Sequence, residues 1–200
     1  RWVVAPLGRV VQSGALAAQL GLDRALAERP LELLAAALDQ LEVPELAARC
    51  QGHLGLFAFD RRRRRLWLVR DRVGAQLWCT SRDAHGLRFA SSVRAFTPRG
   101  RAPEVDARAV AGFLRFGVVP GPQSILANVQ RLRPGTALAV TPEGDASEHG
   151  YWSAAGHLPL SAPAAPVTDF DELVRLVEAQ IQQALAETFE VSSPPVVYLS

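Results

Sequence analysis

The chain has 200 residues, 48% of them apolar, with 22 basic residues against 20 acidic ones. That length suits one medium domain, or one domain and the start of another, with enough apolar sequence for a sizeable core. The formal charge of +2 is too small to hold a nucleic acid, and no apolar run is long enough to span a bilayer.

All the basic residues are arginine, and methionine is absent. The chain opens in an apolar run, "RWVVA", and closes in another, "PPVVYLS", so it reads as a piece truncated at both ends of a longer protein. Cys50 and Cys79 lie in no CxxC motif and have no histidine at ligand spacing. They read as buried free thiols in a reducing cytosol, so a cytoplasmic location is expected, and no signal segment is visible.

Residues 1–5 read as a strand and Pro6 to Gly8 as a turn. Residues 15–20 form one or two helical turns, with Gly21 as the stop. Residues 30–41 are a helix: Pro30 suits the first position, and Leu31, Leu34, Leu38 and Leu41 share a face. A second short helix starts at Pro44. The period then changes to two in "HLGLFAFD", followed by apolar "RLWLVRD" and two further strands, "AQLWCTS" and "GLRFASS", joined by a turn over residues 83–86. These read as an antiparallel meander. Arg61 to Arg65 fall at its first hairpin tip and read as a solvated turn, because nucleic-acid binding would spread basic residues along a face with aromatics between them.

"VDARAVAGFLRFG" is a helix capped by Asp106 and stopped by Gly117. "VVPGPQS" is a turn, and Pro134-Gly135 turns the chain into a strand that ends near Glu143-Gly144. Tyr151-Trp152 close this part. Residues 153–167, rich in Ala, Pro and Ser, read as a linker. Residues 168–189 are a strong amphipathic helix with a capping-box start at Thr168 and Asp171, and "VVYLS" follows as a buried strand. His53, His85, His149 and His157 are scattered, so no metal site is expected.

Several stretches, taken in order, resemble the asparagine synthetase family. They are "GLFAFD", "LWLVRDRVG", "LRFASSVRAF", "GVVPGPQSILANVQRLRPGTALAV" and the closing "YW". The resemblance implies an α+β fold: a class II (Ntn-type) glutamine amidotransferase domain, an αββα sandwich of antiparallel sheets, over residues 1–152. Residues 168–200 would then be the first helix and strand of an α/β ATP-pyrophosphatase domain.

Carried over residue by residue, the implied glutamine site is degenerate. The family's N-G-E-I-Y-N loop falls on "LGRVVQ": Leu7 stands for the amide-binding Asn, Gly8 keeps the Gly, and Arg9 replaces the Glu that holds the substrate's ammonium. The family's S-D-x-E falls on "RPLE", so Pro30 replaces the second acid and Glu32 is kept. Asp23 and Glu28 are the acids left nearby. The nucleophilic Cys would precede Arg1, so no catalytic residue is expected in this stretch. Arg70 and Asp71 are retained, either to order a strand end or as a surface ion pair. Leu199 and Ser200 would open the ATP-binding loop. An ammonium needs carboxylates to offset its desolvation, and a guanidinium repels it.

The resemblance implies a parent that adenylates a carboxylate, on a small molecule or a peptide, using ATP and Mg. Its glutaminase domain would be inactive, as in β-lactam synthetases and lasso-peptide macrolactam cyclases. Two alternatives stay open: a glutamine-hydrolysing asparagine synthetase, and a non-catalytic scaffold or peptide-binding domain. No cofactor is expected for this stretch alone, no nucleic acid or membrane is an expected partner, and a homodimer is compatible with the sequence.

Overall fold

A computed structural model describes residues 1–84, 86–98, 100–157 and 169–188. The chain divides into two compact units, Arg1–Ser153 and Ala154–Ser200.

The first unit is built on a five-stranded antiparallel sheet in the order β1-β2-β3-β7-β8. Its strands are β1 (Trp2–Val11), β2 (Gln51–Asp60), β3 (Arg65–Arg70), β7 (Thr136–Val140) and β8 (Ala146–Gly150). A three-stranded antiparallel sheet, in the order β5-β4-β6, comprises β4 (Cys79–Asp83), β5 (Gly86–Ala90) and β6 (Gln130–Arg131). The helices are α1 (Ser13–Gln19), α2 (Pro30–Gln40), α3 (Val43–Arg49) and α4 (Ala107–Phe116). Mixed α and β structure with antiparallel sheets is the fold class that the sequence implies.

Period-two alternation sorts the large sheet into two faces. Leu54, Leu56 and Ala58 of β2, Trp67 and Val69 of β3, and Ala137 and Ala139 of β7 join one buried cluster with Leu33, Leu34, Leu38 and Leu46 of the helices. Burying each of those leucines stabilises the fold by roughly 1.5–3 kcal/mol. The opposite face supplies Leu68 and Leu138 to a second cluster with Trp78 and Leu132, against which Leu7 and Phe57 pack. Phe89 of β5 stacks on Phe57 with centroids 5.6 Å apart, which lays the small sheet over the large one.

Several sequence expectations are corrected here. Pro6 to Gly8 is no turn, since β1 runs unbroken from Trp2 to Val11 and pairs with β2 in continuous register, Trp2 opposite Asp60 and Val11 opposite Gln51. β1 is the sheet edge, where a residue without an N–H is tolerated. The single meander is split, with β2 and β3 in the large sheet and β4 and β5 in the small one. β4 begins only at Cys79, because the main-chain groups of residues 74–76 are taken up by Arg70 and Asp71. Short β6 and fully exposed β8 carry too little pattern to be read in advance.

Half-buried Arg65 opens β3, and Arg61 to Arg64 form the exposed hairpin turn before it. Asp60, 1% exposed, anchors it: its carboxylate accepts from the Arg62 and Arg63 amides and pairs with the Arg1 guanidinium at 3.0 Å. Arg63 pairs in turn with Glu42. Cys50 and Cys79 are both buried and free, and burial pushes the Cys50 thiol up to about 12 while Arg72 pulls it back in part.

In the second unit the described structure is a short 3-10 helix, Ala155–His157, and α5 (Phe170–Thr188). The start of α5 is capped by Asp169, whose carboxylate accepts from the Asp171 amide at 2.9 Å. Thr168, the "VVYLS" strand, Leu199, Ser200 and His85 lie outside the described residues. No described helix is long and apolar enough to cross a membrane. Among the described residues no group of His, Cys, Asp and Glu could hold a metal ion.

Candidate functional site

The candidate glutamine-site residues fall on the edge strand and the start of a helix. Leu7, Gly8 and Arg9 are consecutive in β1, opposite Gly55, Leu54 and His53 of β2. Gly8 has φ +80°, and a Cβ there would lie 2.0 Å from the His53 carbonyl, so glycine is required on both counts. Arg9 is exposed, and alternation puts its side chain on the same sheet face as Leu7, toward the small sheet.

Pro30 is exposed at the first position of α2, whose buried residues pack on the other sheet face with Val10. The structure therefore brings Leu7, Gly8 and Arg9 together and leaves Pro30 on the helix side of the sheet. Glu32 is exposed and pairs with Arg29 at 3.2 Å. Asp23 is occupied as the cap of a short 3-10 helix, accepting from the Ala25 amide at 2.9 Å.

One residue at this place carries no sequence signal of its own. The side chain of Gln76 lies over two glycines on neighbouring strands: a Cβ on Gly8 would stand 2.7 Å from its Nε2, and one on Gly55 would stand 3.0 Å from its Cβ. Trp78 closes the same corner, with Nε1 3.3 Å from where a Gly55 Cβ would sit. That indole N–H donates to the Val69 carbonyl at 2.9 Å.

Arg70 and Asp71 position Gln76. Arg70 donates through Nε to the Gln76 carbonyl at 2.8 Å, through Nη2 to the Gly74 carbonyl at 2.8 Å and through Nη1 to the Leu132 carbonyl at 2.5 Å. The buried Asp71 carboxylate accepts from the Ala75 and Gln76 amides at 2.9 and 2.8 Å. Burial lowers the Arg70 pKa, and nearby Arg131 adds to the effect. The Tyr151 hydroxyl donates to the Arg70 carbonyl at 2.7 Å, and burial raises its pKa. Each partner of the pair bonds main chain, and neither is bonded to the other. The motif was legible in the sequence; its use as a clamp on residues 74–76 was not, because those contacts reach across loops.

The family model for the glutamine amidotransferase domain matches residues 26–152. That span includes Pro30 and the Arg70–Asp71 clamp, and begins after Leu7, Gly8 and Arg9. No curated protein is matched. Among solved structures, glutamine phosphoribosylpyrophosphate (PRPP) amidotransferase from B. subtilis, complexed with ADP and GMP, is 15% identical, with a TM-score of 0.46 over 76% of this chain and 29% of its own. An allosteric regulatory enzyme of purine biosynthesis is 13% identical, with a TM-score of 0.47 over 76% of this chain and 28% of its own. The chain thus spans less than a third of either. With its match extending over more than half of its length, the chain belongs to the glutamine amidotransferase domain family.

Proposed function

We propose that this domain is the amidotransferase-like part of an ATP-dependent, amide-forming ligase of the asparagine synthetase type, and that it does not use glutamine. Arg9 carries the reading. Its guanidinium stands on β1 next to Gly8, where the resemblance puts the acid that would hold glutamine's ammonium. Two unit charges of like sign at about 4 Å repel by roughly 4 kcal/mol near a protein surface, about three orders of magnitude in affinity. Pro30, at the second acid's place, offers no charge. Gln76 lies over Gly8 and leaves less room for a substrate amide.

In this reading the parent adenylates a carboxylate with ATP and Mg, and an amine already carried by the substrate displaces AMP. Leu199 and Ser200 would belong to its nucleotide site. The second reading is a glutamine-hydrolysing asparagine synthetase, which family membership and the retained Glu32 favour. Labelled glutamine given to the full-length protein tests the two. The first expects AMP formed with no glutamate released; the second expects the two in equal amounts.

A further inference from the structure

We infer that the cleft between the free end of β6 and strand β8 is a docking site for a short, extended peptide carrying an amine. The cleft encloses about 510 Å³, within the range that holds small organic ligands. It arises because β6 stops early. β4 pairs with β5 along all of Cys79–Asp83 but with β6 only at Cys79 and Thr80. Asn128, held in the left-handed region at φ 63°, turns the chain aside before it can run beside Arg82.

The open edge is polar in a specific way. The Leu132 amide donates to the Trp78 carbonyl, so even-numbered residues of β4 turn both main-chain groups toward β6. Thr80 is met there by Gln130, and Arg82 comes next in that series. No described residue bonds the Arg82 amide or its carbonyl. A donor and an acceptor side by side on an open strand edge are what an added strand pairs with.

Charge selects the ligand further. The Arg82 guanidinium donates to the Gly144 carbonyl, Arg131 donates to the Gln123 and Val119 carbonyls, and Asp106 caps α4. Glu148 reaches the same cleft from β8 and has no partner among the described residues. A lysine side chain or a free amino terminus would supply one. The side chains of Thr80, Asn128 and Gln130 also line the cleft without hydrogen bonds among the described residues, and can serve the peptide groups on either side. The site goes beyond the proposed ligase reading and stands whether or not the domain turns over glutamine.

The test is fluorescence anisotropy with the full chain and a positional-scanning library of tetrapeptide amides tagged at the carboxyl end. Saturable binding should concentrate in members with lysine or a free amino terminus. Arg82→Pro deletes the open N–H and should weaken binding about tenfold, whereas Arg82→Ala keeps it and should change binding less than about twofold. Glu148→Gln should weaken binding by about fivefold or more. The Arg82 amide bonds nothing among the described residues, so proline removes no rung seen there. If that variant nevertheless fails to fold, N-methylating each peptide amide in turn removes the same rung from the ligand side, and one position should abolish binding. The inference is overturned if no member saturates below about 1 mM, if a folded Arg82→Pro binds as the parent does, or if binding ignores both Glu148→Gln and N-methylation.

Discussion

Replacing Arg70 by methionine should destabilise the first unit more than any surface substitution, although the residue is only half-buried. The guanidinium donates to three carbonyls, of Gln76, Gly74 and Leu132, and thereby ties residues 74–76 to the strand end and to the turn before β7. Hydrogen bonds from a charged donor contribute about 1.5 kcal/mol each at the low end, or roughly 4.5 kcal/mol for three. Gly74 and Gln76 are half-buried, so water can replace part of what they lose, whereas Leu132 is buried and its carbonyl would be left without a donor. Methionine also relieves the cost of desolvating a charge, so the net loss should be about 3 kcal/mol. Urea unfolding measures it as a fall in midpoint at constant slope. Arg70→Lys should recover less than half, because one ammonium cannot reach three diverging carbonyls. A loss below about 1 kcal/mol for Arg70→Met would refute the clamp.

Gly8→Ala puts a methyl against the His53 carbonyl and a side chain in the left-handed region, and should cost about 3 kcal/mol, a fall of roughly 10 °C in Tm by calorimetry. Burial alone would raise the Asp60 carboxyl, but the Arg1 hydrogen bond and the Arg63 and Arg62 amides outweigh it and hold it below its usual 3.8. Stability from Asp60 is therefore present above that value and lost as pH falls through the lower folded pKa, so Asp60→Asn should flatten the acid limb of a pH–stability curve. Neither thiol should react with a disulfide reagent at pH 8 until the protein unfolds. At a pKa of about 12 the Cys50 thiolate fraction is about one in ten thousand, and burial raises Cys79 as well.

The parts of the fold that sequence made legible are those with a strong local period. The Pro30 helix, the alternation of β2 and the Asp106-to-Gly117 helix all carry their signals within a dozen residues. β1 was half read, because Pro6 and Gly8 look like a turn until the edge position that tolerates them is known. β8 has no buried residue to mark it, and β6 is two residues long. At the candidate site, the resemblance placed Leu7, Gly8 and Arg9, and pairing with β2 shows them as one stretch of edge strand. Gln76 was invisible, since only the Arg70–Asp71 clamp brings it over Gly8. The same long-range cause hides the open rung at Arg82, which exists because Asn128 diverts a strand far along the chain.

The central claim is that this domain does not supply ammonia from glutamine. The most direct measurement supplies the full-length protein with ATP, its carboxylate and amine substrates, and isotopically labelled glutamine, and follows AMP and glutamate together. The account predicts AMP without labelled glutamate. Glutamate appearing in step with AMP would contradict it, and would mean that an acid elsewhere holds the ammonium that Arg9 should repel.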